Sequence, residues 1–312
     1  MTADEALIQH LNRQKVRRYD VKGDVDAATA ATAAETDTES VNCLVFWARP
    51  PATILSLIDS LQQRVSGLVG SDLHLIPLSD LHLSVIELSH RHSVAHLHSV
   101  VEQVGRSRIQ TMLDLVCGLP SDIHDDQRKS QPCPRLVAPR LVIDKMGVAL
   151  SFLPHSDDNN EEQSGKIDAN SSVQDTDKSW TYHHLRSTMH SIALESGIGI
   201  DHCYTAPTAH VTIGRFVNDS YFHSPDATMK FVELIREINA ELLRSWPRHL
   251  ASWLGVHGMT GAMSADGIDG ADTSEIDWYV GQEKSLELQL GYLKFGRKRE
   301  LALMTGSHSG PS

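Results

Sequence analysis

The sequence predicts an α+β fold made of two similar halves. Only two of the 18 histidines are followed two residues later by serine or threonine: His82 with Ser84 in LHLSVIEL, and His210 with Thr212 in AHVTIGRF. Both tripeptides open short apolar, β-branched runs, which read as strands. Strand-like and helix-like patterns mix in each half of the chain, with one such run near the middle of each. The motifs lie 128 positions apart, and the halves share no residue-level repeat beyond them.

Residues 1–20 read as a short charged helix. The Ala/Thr-rich run that follows, up to residue 40, has the composition of a linker. VNCLVFWAR is the first strand. Pro51 then opens a helix over ATILSLIDSLQQRVSGL, whose Ile54, Leu55, Ile58, Leu61 and Val65 recur at a helical period. LHLIPL precedes the first motif strand at 81–88, and Ser93 to Leu113 carries another helical pattern. Residues 136–153 read as a hairpin turning around Lys145 to Gly147. Residues 155–178 hold seven acids and two lysines with almost no apolar side chains, which predicts a disordered surface insertion.

The second half then reads as a helix over WTYHHLRSTMHSIALES, the second motif strand, and a long helix N-capped by Ser224 with Pro225 at its first position. ASWLGVHG, EIDWYVGQ and SLELQLGYLKF read as strands, the first two separated by a Gly/Asp/Ser loop. The expected organisation is a tail over 1–40, one domain over 41–300 and a C-terminal tail over 301–312.

A net charge of −12 disfavours a grip on long duplex nucleic acid, which needs clustered Lys and Arg; a small nucleotide or a single RNA end stays open. Cys43, Cys117, Cys133 and Cys203 form no CxxC pair, so reduced thiols in a cytoplasmic or nuclear protein are expected. No run approaches a membrane span, and no signal peptide is legible. A monomer without cofactor or metal is the expectation.

Residues i and i+2 of a strand share a face, so each motif presents an imidazole beside a hydroxyl. Two histidines facing one phosphorus can act as general base and general acid, with the hydroxyls donating to its oxygens. The bland alternative is a half-buried strand histidine bonded to its neighbour, repeated twice. The strand period puts Ile86 and Leu88 on the face of His82, Gly214 and Phe216 on that of His210, and Arg215 on the opposite face, where a strand-end surface charge is favoured over a phosphate clamp. Tyr204, Trp278 and Phe46 are candidates to stack on a base, although single strand aromatics are more often core. His92 and His96 stand at i, i+4, a spacing that can chelate zinc on a helix. His90 and His98 flank them without a carboxylate motif, so a solvent-facing helix start is favoured there and at His183 and His184.

His82-Leu83-Ser84-Val85 and His210-Val211-Thr212-Ile213 resemble the paired H-x-[ST]-x motifs of the 2H phosphoesterase superfamily. That superfamily includes 2′,5′ RNA ligase-like proteins and 2′,3′-cyclic nucleotide phosphodiesterases. In element order the resemblance spans about residues 41–297. It implies a duplicated two-lobed fold, with two mostly antiparallel sheets lining a central cleft and helices outside. It also implies metal-free opening of a 2′,3′-cyclic phosphate to a 2′-phosphate. The catalytic residues would be His82 and His210, with Ser84, Thr212, Tyr204, Phe216 and Trp278 around the substrate. His210 is the expected base and His82 the expected acid for ring opening, an order the sequence leaves open. Removing the 24-residue insertion brings the motif spacing to 104. Proline often directly precedes the second histidine in the family; here it is Pro207, three residues earlier. A non-catalytic nucleotide-binding module, an RNA 3′-end exonuclease and a 2′,5′ ligase are the alternatives on the same fold. A metal hydrolase built on His90 to His98 is a remote one.

Overall fold

The computed structural model describes residues 41–116, 133–155, 180–200, 209–245, 277–281 and 283–307. The N-terminal tail, all but the first residue of the acidic segment, Tyr204, Pro207, Cys117, Cys203 and the expected strand ASWLGVHG with its following loop lie outside the described residues.

The described strands are β1 (Asn42–Ala48), β2 (Leu73–Leu75), β3 (Leu83–His92), β4 (Arg135–Ile143), β5 (Gly147–Pro154), β6 (Ala209–Phe216), β7 (Trp278–Tyr279), β8 (Glu287–Gly291) and β9 (Met304–Thr305). The α-helices are α1 (Ala52–Val69), α2 (Val94–Val104), α3 (Arg106–Leu113), α4 (Tyr182–Glu195) and α5 (Pro225–Ser245). The fold class is α+β. The strands form one nine-stranded sheet in the order β7-β4-β5-β6-β3-β1-β8-β9, with β2 also pairing to β6, and every pairing is antiparallel.

This differs from the expectation of two sheets. The left and right halves are joined at the centre by a single residue pair, Leu83 of β3 with Val211 of β6. The folded unit also runs past residue 300, because β9 pairs with β8 and Ser307 N donates to Asp114 at 2.7 Å.

Helical spacing delivers α1 as predicted, with Ile54, Ile58, Leu61 and Val65 buried on its inner face. Each such side chain contributes about 1.5–3 kcal/mol through burial. The helical pattern from Ser93 to Leu113 breaks into α2 and α3 at Gly105, whose φ of 83° is not helical. Ser224 Oγ accepts from Ala227 N at 3.4 Å, so the predicted N-cap of α5 is present. Helices of one half brace strands of the other: α1 packs on β6, and α4 on β3. Their apolar faces join the sheet in one core, leaving the other side of the central strands to a cleft.

Candidate active site

Strand periodicity alone misplaces several residues, and three β-bulges explain why. Against β1, Ser84 pairs with Trp47 and Ile86 with Phe46, so Val85 is an extra residue. Glu87 pairs with Val45 and Ser89 with Leu44, so Leu88 is another. Against β5, Thr212 pairs with Ala149 and Gly214 with Val148, leaving Ile213 extra. Each bulge resets the in/out alternation by one residue. The cleft face of β3 therefore carries His82, Ser84, Glu87 and His90, and that of β6 carries His210, Thr212 and Arg215. The expectation that Ile86 and Leu88 share the face of His82 fails, because both are buried in the core. Arg215 lines the cleft and is no surface charge.

Each motif strand is braced from across the molecule. Gln62 of α1 donates to the carbonyls of Ile213 and Ile76, both at 2.8 Å, which satisfies the backbone at the β6 bulge. Tyr182 of α4 donates its hydroxyl to the Ser84 carbonyl at 3.1 Å.

The Leu83–Val211 pair decides how the motifs meet. Both residues are the middle member of their tripeptide, and the strands run antiparallel. Extending the register by one residue sets His82 opposite Thr212 and Ser84 opposite His210. Leu83 and Val211 point into the core, both fully buried, so the four polar side chains share the opposite face. Cross-strand neighbours of this kind lie about 4.5–5.5 Å apart at Cα. The motifs are thus related by a local two-fold axis through Leu83 and Val211.

His82 is the better defined of the two histidines. Its ring stacks on Trp47 with centroids 3.5 Å apart and planes 12° apart. Its Nδ1 lies 3.0 Å from the Asp80 carbonyl, which can only accept, so Nδ1 carries the proton and Nε2 keeps its lone pair. Burial pushes the imidazole pKa down to about 3; the Asp80 carbonyl opposes this, while Arg49, His210 and Arg215 reinforce it. His82 is therefore a neutral imidazole near pH 7. A neutral imidazole suits the base, where the sequence reading favoured the acid for His82 and left the order open.

The stack rests on a buried ion pair. The Arg49 guanidinium lies 5.1 Å from the Trp47 ring centroid, donates to the Leu81 carbonyl at 2.9 Å and also bonds the Arg297 carbonyl. Glu287, fully buried, pairs with Arg49 and with Arg299 at 3.5 Å. The loop after β8 is thereby tied to the turn that delivers His82. Gly296 closes that junction at φ 77°: a Cβ there would lie 2.2 Å from the Asp80 carbonyl oxygen, so no larger residue fits.

The cleft has a volume of about 750 Å³, within the range of small-molecule sites. It brings together His82, Ser84, His210 and Thr212. It does not include two predicted binding residues. Phe216 is fully buried among Phe222 and Phe231, and Trp278 is buried against Phe152. Phe46 is likewise core, while its neighbour Trp47 faces the cleft. Sequence reasoning favoured a surface charge over a phosphate clamp for Arg215, and missed Trp47, Tyr292, Lys294 and Phe295. The last three follow Gly291, where β8 ends at φ 130°; a glycine with aromatics one and four residues on was the available signal. The Arg215 Nε is buried without a hydrogen-bond partner in the protein, so part of its donor capacity is unused.

Along β3 the same cleft holds a second cluster. His90 Nδ1 lies 2.9 Å from Glu87 Oε1 and 3.5 Å from Cys43 Sγ. Burial pushes the Cys43 thiol up to about 12. Beyond it, the His92 and His96 rings lie 4.2 Å apart between centroids. Among the described residues no helix is long and apolar enough to cross a membrane. No protein-family model matches the chain, and no curated protein matches it.

Proposed function

We propose that the chain is a phosphoesterase of the 2H type, opening 2′,3′-cyclic phosphates of nucleotides or RNA ends to 2′-phosphates without a metal in the chemical step. The observation that carries this reading is the antiparallel crossing of the two His-x-hydroxyl motifs at Leu83 and Val211. It puts two imidazoles and two hydroxyls along one face of the same cleft. The order strand, helix, motif strand, helix occurs twice, as β1-α1-β3-α2 and β5-α4-β6-α5, if the short β2 is set aside. That order and the local two-fold axis support a duplicated origin.

In this reading His82 is the base. Its Nε2 takes a proton from water as the water oxygen bonds to phosphorus. The P–O3′ bond breaks, and His210 gives its proton to O3′, leaving a 2′-phosphate. One proton is taken and one is given, so the two histidines exchange states and are reset through solvent. Ser84 and Thr212 donate to the non-bridging oxygens, and Arg215 balances their charge. With a 5′-hydroxyl in place of water the same steps open the ring to a 2′,5′-phosphodiester, so ligation is the same chemistry with another nucleophile, and exchange of the histidines' roles closes the ring again.

The test is loss of the cyclic phosphate from 2′,3′-cyclic AMP and from an oligoribonucleotide with a 2′,3′-cyclic end, in excess chelator. Turnover of either supports the reading. No turnover of either, with mononucleotide binding intact, replaces it with a nucleotide-binding module.

A further inference from the structure

We propose that Cys43, Glu87 and His90 form a binding site for one zinc-class divalent ion, in the same cleft but remote from the histidine pair. This goes beyond the phosphoesterase reading and does not depend on it.

Geometry is the first argument. The donor atoms of the three residues all lie within 4.8 Å of one another. Cys43 Sγ lies 3.5 Å from His90 Nδ1, and His90 Nδ1 lies 2.9 Å from Glu87 Oε1. With Zn–S of about 2.3 Å and Zn–N and Zn–O of about 2.0–2.1 Å, a tetrahedral ion has S···N edges of about 3.5 Å and N···O edges of about 3.3 Å. The first separation matches already, and the second needs only a few tenths of an ångström.

The way the cluster is built is the second argument. Glu87 and His90 are three residues apart, an odd spacing that a regular strand sends to opposite faces. The bulge at Leu88 brings both to the cleft. Cys43 is the direct β1 partner of His90 in the register. The backbone N–H of Arg91 donates to the Cys43 sulfur, and Arg91 itself adopts φ 62°, a conformation uncommon for arginine. A backbone donor to a thiolate ligand is a common outer-shell support for a metal.

Ligand chemistry selects the ion. One sulfur, one imidazole and one carboxylate suit zinc and its cobalt substitute, whereas magnesium and calcium want oxygen ligands throughout. Three protein ligands leave the fourth position for water or an anionic oxygen, and all three residues border the cleft. With Val85 bulged, about four strand steps separate Glu87 from His82, roughly 13 Å at about 3.3 Å per residue. An ion here does not reach the phosphorus between the histidines. Binding replaces the thiol proton: the S–H bond breaks, a sulfur–metal bond forms and one proton leaves to buffer.

The experiment titrates the full chain, stripped by a chelating resin, with cobalt(II). Expected are the intense visible bands of tetrahedral cobalt and a thiolate-to-cobalt charge-transfer band, saturating at one equivalent and bleached by zinc. Cys43→Ser abolishes the charge-transfer band. Cys43→Ser, Glu87→Gln and His90→Ala each weaken binding by roughly 100-fold or more. His96→Ala leaves the titration unchanged, which separates this site from the His92–His96 pair. Circular dichroism identifies any variant that fails to fold, and the remaining ligand variants then decide. Cobalt that binds without a thiolate band, a band that survives in Cys43→Ser, or no saturable binding overturns the proposal.

Discussion

Replacing Glu287 with glutamine tests how the site is held. Glu287 is completely buried, and the Arg49 side chain that it pairs with is 4% exposed. Glutamine keeps the shape and removes the charge, so Arg49 stays buried with its counter-charge gone. Burial already pulls the Arg49 pKa down, and Glu287 is the strongest influence opposing this. Breaking one side of a buried pair typically costs about 3–5 kcal/mol. For a folded unit of this size each kcal/mol shifts the melting temperature by about 2–4 °C, so a fall of about 6–20 °C is expected. Thermal unfolding by circular dichroism measures it, with Glu241→Gln as control. Glu241 is an exposed partner of Arg64, and its loss leaves the melting temperature within the scatter of the measurement. Because Arg49 also bonds the Leu81 carbonyl, turnover well below the melting temperature falls as well. A Glu287→Gln protein that melts within 2 °C of the parent refutes the claim that this ion pair fixes the His82 turn.

Two further outcomes follow from the cleft. His82, with its pKa held at about 3, stays neutral where an ordinary histidine of about 6.5 is half-protonated. A base must be neutral, so kcat/KM keeps its base from pH 7 down to pH 5, and NMR of the His82 ring shows no titration in that window; a midpoint near 6.5 contradicts the assignment. In the unfolded chain the same group binds its proton below about 6.5, so the folded state loses stability as pH falls from there toward the folded-state value. Arg215→Ala is expected to raise KM by about ten- to a hundredfold through loss of charge-assisted hydrogen bonds of about 1.5–3 kcal/mol; a KM unchanged within twofold removes Arg215 from the substrate.

Local signals in the chain were legible because they are local. The spacing of Ile54, Ile58, Leu61 and Val65, the Ser224-Pro225 start and the Lys145–Gly147 turn are decided within a few residues, and each appears where expected. What was hidden depends on distant partners. The bulge at Ile213 is held by Gln62, 151 residues away, so no reading of AHVTIGRF alone reveals that Arg215 faces the cleft. The same holds for Leu88, which swings His90 in beside Cys43. Trp47 and Phe46 could not be told apart because β1 is buried on both faces, and a strand of that kind has no polar alternation to set its phase. Phe216 and Trp278 were aromatic and near the right strands, but they fill the core.

The most direct test of the central claim follows 2′,3′-cyclic AMP by phosphorus NMR in excess chelator, using the parent chain, His82→Ala and His210→Ala, each shown folded by circular dichroism. The account predicts that the parent converts the cyclic resonance to a 2′-phosphate alone, and that neither variant does so at a measurable rate. A 3′-phosphate product, or either variant turning over at near the parent rate, contradicts it.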